Sequence, residues 1–191
     1  MSKLHIVSIL DRSGSMSGTE SEVIGAYNSF VKEQQKIVSE AGITATLTLV
    51  LFDNQYDRLY FKTPIMEAPE LTSTEYFVRG MTALYDAIGK TIVDFEGKKK
   101  VIFFIETDGC ENASQEFNGS KLKELIEKKT ADGWDFNFVG AALSYHDTVN
   151  MSAGLGIAAG KTMAFDKSAM GYADRNASFA AATALYSEAT S

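Results

Sequence analysis

Short, almost unbroken apolar runs alternate along the chain with longer stretches whose apolar positions recur every three or four residues. Residues 4–10 are such a run, predicting a strand buried on both faces. Thr19 and Glu22 then have the spacing of a capping box, and Val23, Tyr27, Phe30, Val31, Ile37 and Val38 form a helical stripe that Gly42 is placed to end. Residues 43–52 and 56–61 predict two strands joined by Asp53-Asn54-Gln55, short enough for a hairpin. Both prolines, Pro64 and Pro69, mark the next segment as a loop with room for a short helix.

Leu84, Ile88, Thr91, Ile92 and Phe95 predict a second helix, and residues 101–105 the most apolar strand of the chain. Leu122, Leu125 and Ile126 share one face of a charged helix, and residues 134–139 read as a strand. A short helix at 146–151, a short strand at 162–165 and a helix at 172–186 complete the pattern. Such alternation implies a doubly wound α/β architecture. It is a mostly parallel sheet with one antiparallel edge strand, helices on both faces, and a single domain over 1–191.

Composition narrows the function. Hydrophobic residues make up 45% and charged residues 23%, which argues against extensive disorder. A net charge of −7 disfavours a general nucleic-acid binder, and Lys98-Lys99-Lys100 reads as a solvated turn. The one cysteine, Cys110, cannot form an internal disulfide, so a reducing compartment is expected. With no apolar stretch near ~20 residues and no charged leader before an apolar segment, the expectation is a soluble cytoplasmic protein without a membrane anchor. The Asn-x-Ser triplets at Asn112, Asn118 and Asn176 then read as chance matches.

In open α/β sheets ligands bind beyond the carboxyl ends of the strands. Three loops there carry clustered oxygens: Asp11-Arg12-Ser13-Gly14-Ser15, Gly80-Met81-Thr82 and Glu106-Thr107-Asp108-Gly109. Their two aspartates, with the two serines of the first loop and the threonine of the second, offer two carboxylates and three hydroxyls, an all-oxygen set suited to a hard cation. Mg²⁺ takes about six oxygens at roughly 2.0–2.1 Å and keeps several waters, so it ranks first; Mn²⁺ and Ca²⁺ are the alternatives.

Asp11-x-Ser13-x-Ser15 resembles the metal-ion-dependent adhesion site of the von Willebrand factor A family, and Thr82 and Asp108 match its two other elements in order. The likeness extends over essentially the whole chain. It implies that Ser13, Ser15 and Thr82 approach the metal directly, that Asp11 and Asp108 act largely through water, and that an acidic side chain of a protein partner completes the coordination. Without a leader, the chain resembles the family's intracellular bacterial and phage members, adaptors rather than enzymes, and is expected to be a monomer when free.

Each element also has a bland reading. Asp, Ser and Gly are ordinary turn residues, and Thr82 could simply cap the helix that follows. The competing function is an Mg²⁺-dependent phosphatase with Asp11 as nucleophile, but the position of its general acid is Ser13, which cannot serve at neutral pH. A purely structural metal is the third possibility. His5 reads as a satisfied core histidine, His146 as unconnected to Cys110, and Cys110 as a semi-buried inert thiol. Gly154, Gly156 and Gly160 lack the context of a phosphate loop and read as a turned surface segment.

Overall fold

A computed structural model describes residues 3–189. The elements are β1 (Leu4–Asp11), α1 (Glu20–Glu40), β2 (Ala45–Phe52), β3 (Tyr56–Pro64), α2 (Leu84–Asp94), β4 (Val101–Thr107), α3 (Gly119–Ala131), β5 (Asp135–Ala141), α4 (Tyr145–Gly154), β6 (Thr162–Phe165) and α5 (Ala169–Ala189). They form one six-stranded sheet in the order β3-β2-β1-β4-β5-β6, parallel throughout except for β3. This is the architecture the alternating pattern predicts, down to the antiparallel edge.

Every residue of β1, β2 and β4 is buried, which explains why they read as continuous apolar runs. Their side chains divide by parity. Ile6, Leu10, Leu49 and Phe104 enter the layer under α1 and α5; Val7, Ile9, Val50 and Phe103 enter the layer under α2 and α3. The chain leaves β1 through α1 to β2 on one side and returns through α2 to β4 on the other. Between β1 and β4 the strand order therefore reverses, and the loops leaving those two strands lead to helices on opposite faces of the sheet, α1 and α3.

Several local expectations change. Thr19 does not form a capping box: its hydroxyl donates to the Met16 carbonyl at 2.7 Å, while Glu20 accepts the Gly18 N–H at 2.8 Å. Gly42 does end α1, at φ +63°, with its N–H on the Ser39 carbonyl and that of Ile43 on the Val38 carbonyl. β3 runs past Phe61 because Lys62, at φ +52°, makes a bulge whose N–H reaches the Thr48 hydroxyl; the ladder then resumes to Pro64, which an edge strand tolerates. α4 is longer than its weak pattern predicts, capped by Ser144, which accepts the Asp147 N–H. Gly154 lies in this helix and Gly156 follows it at φ +75°.

His5 behaves as a core histidine. Its Nδ1 lies 2.7 Å from the Thr46 hydroxyl and its ring meets Phe95 edge-on. Burial, with Lys98, Lys62 and Lys3 nearby, lowers its pKa from 6.5 to about 4. The unfolded chain thus binds more protons than the native state between those values, and stability falls as pH drops through that window. The loss approaches ~2–3 kcal/mol. Thermal melts from pH 7 to 4 should show a shallower decline for His5→Gln than for wild type; parallel declines would assign the slope to other groups.

Candidate metal centre

Asp11 closes β1 and is held from three directions. One carboxylate oxygen accepts the Ser13 N–H at 2.7 Å and the other accepts the Thr107 hydroxyl at 2.6 Å, from the end of neighbouring β4. Its backbone carbonyl accepts the Tyr76 hydroxyl at 2.7 Å. Burial raises the Asp11 pKa, opposed by the Ser13 and Thr107 hydrogen bonds, with the charge of Asp108 adding to the rise. A bound cation would favour the ionised form.

After Asp11 the chain makes a tight 3-10 turn, Gly14–Met16, anchored by the buried Met16 side chain. The turn places the Ser13 and Ser15 hydroxyls 3.2 Å apart, and Ser15 donates to Asp108 at 2.5 Å. Asp108, just beyond β4, thereby joins the first loop. The second loop is attached by the Gly14 N–H, which donates to the Gly80 carbonyl at 3.1 Å. A Cβ on Gly109 would lie 3.5 Å from the Thr82 hydroxyl and 3.6 Å from that of Ser15, so both oxygens face one small volume. All five residues singled out by the sequence are brought together.

Thr82 is not a helix cap, since Ala83 occupies that position. It is bracketed by Asn112, whose side-chain oxygen accepts the Thr82 N–H at 2.9 Å and whose N–H donates to the Thr82 carbonyl at 3.0 Å. Glu111 and Asp86 strap the same loop to the start of α2. Glu111 accepts the N–H groups of Tyr85, Ala113 and Ser114; Asp86 accepts those of Gln115, Glu116 and Phe117. Burial alone would raise the Asp86 pKa, but the three backbone donors outweigh it and hold the carboxyl below its usual value.

On the opposite side Arg12 and Arg79 both pair with the buried Asp53 and with Asp57, under the ring of Phe77. The Arg79 N–H also donates to the Arg12 carbonyl, fixing the segment that leads to Thr82. None of these partners carries a local sequence signal: Arg12 and Asp53 lie 41 residues apart.

Two further groups border the centre. Lys167, before α5, contacts the second oxygen of Asp108 and donates to the Ser15 carbonyl at 3.0 Å. Glu106, at the end of β4, faces the α5 side and pairs with Arg175 at 3.0 Å. Cys110 is exposed, not semi-buried as expected. His146 is exposed on α4, its ring against Asn150. Asn112, Asn118 and Asn176 make internal hydrogen bonds: Asn112 to Thr82, Asn118 to the Lys121 N–H, and Asn176 to the Ala26 carbonyl.

The donor set fits a hard divalent cation. Among the described residues no three His, Cys, Asp or Glu side chains cluster to hold a metal, so an ion here would rest on hydroxyls as much as on carboxylates. Two carboxylates and three hydroxyls from separate loops are the kind of oxygen set that leaves coordination positions for water or an outside ligand.

No protein-family model and no curated protein matches the sequence. Solved structures do. Proximal thread matrix protein 1 from the mussel byssus, described with a zinc-occupied MIDAS motif, is 12% identical over 96% of this chain and superposes with a TM-score of 0.65. The chain spans 46% of that protein. The vWF domain of the pilus tip protein Mfa5 from Porphyromonas gingivalis is 11% identical, with 93% of this chain and 95% of that one covered and a TM-score of 0.65. The ArnB paralog VWA2 from Sulfolobus acidocaldarius is 20% identical over 87% of this chain and 42% of its own, with a TM-score of 0.62. The six-stranded sheet with its single antiparallel edge and flanking helices is the fold of von Willebrand factor type A domains.

Proposed function

We propose that Asp11, Ser13, Ser15, Thr82 and Asp108 hold one divalent cation, Mg²⁺ before Mn²⁺ or Ca²⁺, and that the protein is a metal-dependent binding module. The observation that carries this reading is the convergence of three hydroxyls and two carboxylates from three loops at the point where the strand order reverses. A zinc-occupied site of this type in the mussel protein supports it. When bound, the ion supplies a positive centre that an acidic side chain of a protein partner can ligate.

The chain's own residues prepare that surface. Asn112 and the Gly14–Gly80 bond fix the approach of Thr82, and Thr107 with Ser13 aims Asp11. Met81, beside Thr82, and Phe77 are exposed large apolar side chains on the segment that leads to Thr82. An acidic residue flanked by apolar neighbours would meet both the ion and this rim.

We read the module as an adaptor rather than an enzyme, working as a monomer in the reducing cytoplasm of a bacterial or phage-infected cell. Asp11 is fully buried with both oxygens engaged, which disfavours it as a phosphatase nucleophile. Among the described residues no helix is long and apolar enough to cross a membrane.

Pull-downs with wild type, Thr82→Ala and EDTA-treated wild type test the reading. The same captured proteins should be lost from the last two. Equal capture by all three would place recognition on another surface.

A further inference from the structure

Lys167 is the one feature of the centre that a cation site does not need. It lies between β6 and α5 in a tightly built turn: Asp166 accepts the Ser168 N–H at 2.9 Å, and Ser168 accepts that of Gly171 at 3.1 Å. A Cβ on Gly171 would stand 2.1 Å from the Asp166 carbonyl, so the first turn of α5 packs directly on this segment. From there the Lys167 side chain, only 16% exposed, reaches the Ser15 carbonyl and Asp108. One oxygen of Asp108 is thus taken by Ser15 and the other by an ammonium group.

The electrostatic consequence follows. Of the two carboxylates in the centre, one is already neutralised by a tethered cation. A divalent ion entering this site meets the full negative charge of Asp11 alone and is repelled by a lysine that shares Asp108 with it. Such an ion keeps excess positive charge, which only an anion from outside can relieve. An ammonium released from Asp108 at the rim remains within reach of that same anion, because its backbone is anchored.

We propose that Lys167 is a built-in competitor for the metal that exchanges Asp108 for the incoming ligand's carboxylate, so that cation and acidic ligand bind cooperatively. This rests on the metal-site reading above. It makes the free protein a weak metal binder and the metal-plus-carboxylate state the stable one, a coupling that works equally in both directions.

The test uses the full chain, Mn²⁺ as the metal and acetate as the carboxylate. Mn²⁺ affinity is measured for wild type, Lys167→Met and Lys167→Arg, with and without saturating acetate. Without acetate, Lys167→Met should bind Mn²⁺ roughly tenfold more tightly than wild type, the effect of one unit charge beside a divalent ion. Lys167→Arg should stay near wild type. Acetate should tighten Mn²⁺ binding in wild type by a larger factor than in Lys167→Met. Independently, acylation of Lys167 by an amine-reactive ester, followed by mass spectrometry, should be faster with Mn²⁺ than without.

Equal or weaker Mn²⁺ binding by Lys167→Met, with an acylation rate that ignores Mn²⁺, overturns the competition while leaving the metal site standing. Absence of Mn²⁺ binding in all three proteins, each still folded by circular dichroism, overturns the metal site itself.

Discussion

Replacing Arg175 with methionine is expected to cost about 3–5 kcal/mol of stability, among the largest effects of any single substitution in this protein. Arg175 and Glu106 are each 1% exposed, and their side chains meet at 3.0 Å in the layer between the sheet and α5. The guanidinium also lies over the rings of Tyr172 and Phe179, at 5.3 and 5.2 Å. Removing it strands a carboxylate among Phe104, Phe179 and their neighbours. Burial already pushes the Glu106 pKa up, and Arg175 is the main group opposing that rise.

Without its partner, Glu106 must take up a proton on folding. For an acid whose folded pKa is raised, stability increases as pH falls, so the Arg175→Met deficit should be larger at pH 8 than at pH 5. Urea unfolding at both values checks this. The double variant Arg175→Met, Glu106→Leu should recover to within about 1 kcal/mol of wild type, since apolar replacement of a whole buried pair is often neutral. A single-variant loss under about 1 kcal/mol would show that the pair does not hold α5 to β4.

Asp11→Asn should reduce Mg²⁺ or Mn²⁺ affinity by a factor on the order of 100, about 3 kcal/mol, while leaving the metal-free fold intact. Asparagine keeps an acceptor for the Ser13 N–H and a polar group facing Thr107, so the loop remains tied. What it lacks is the one carboxylate of the centre that no basic side chain neutralises, Asp108 being paired with Lys167. Calorimetry should report one ion per chain for wild type. Chelation should lower wild-type stability only by the linkage of a native-state ligand, ~2.7 kcal/mol at a hundredfold excess over Kd. Unfolding on chelation, a preference for Zn²⁺, or unchanged affinity in Asp11→Asn would each refute the assignment.

The elements most legible in the sequence are those whose residues act locally. β1 and β4 announce themselves because both faces are buried, and Gly42 marks the end of α1 because the chain needs a positive φ there. The loop residues of the centre are legible in part for the same reason: Asp11, Ser13 and Ser15 form one short motif, while Thr82, ahead of α2, and Asp108, after β4, stand out through the family resemblance. What escapes is long-range. Lys167 meets a residue 152 positions away, and Arg175 and Glu106 are individually ordinary surface-type residues that only the packed layer turns into a pair. Pro64 misleads because its strand lies at an edge, where a missing donor goes unnoticed. Thr19 misleads because its hydroxyl finds the Met16 carbonyl before any helix N–H.

The reversal of strand order between β1 and β4 also has a kinetic meaning. The bond from Thr107 to Asp11 closes a span of 96 residues, and a span this long is slow to close because its entropy is lost before its contacts form. On a ribosome adding ~5–20 residues per second, β1 waits about 5–20 seconds for the end of the strand that pairs with it there. Lys167 arrives later still. A cation held by these loops would therefore not seed folding: Asp108, the last of the five residues, is made only after β4, so the ion would enter a framework that the pairing of the apolar strands β1 and β4 has already assembled.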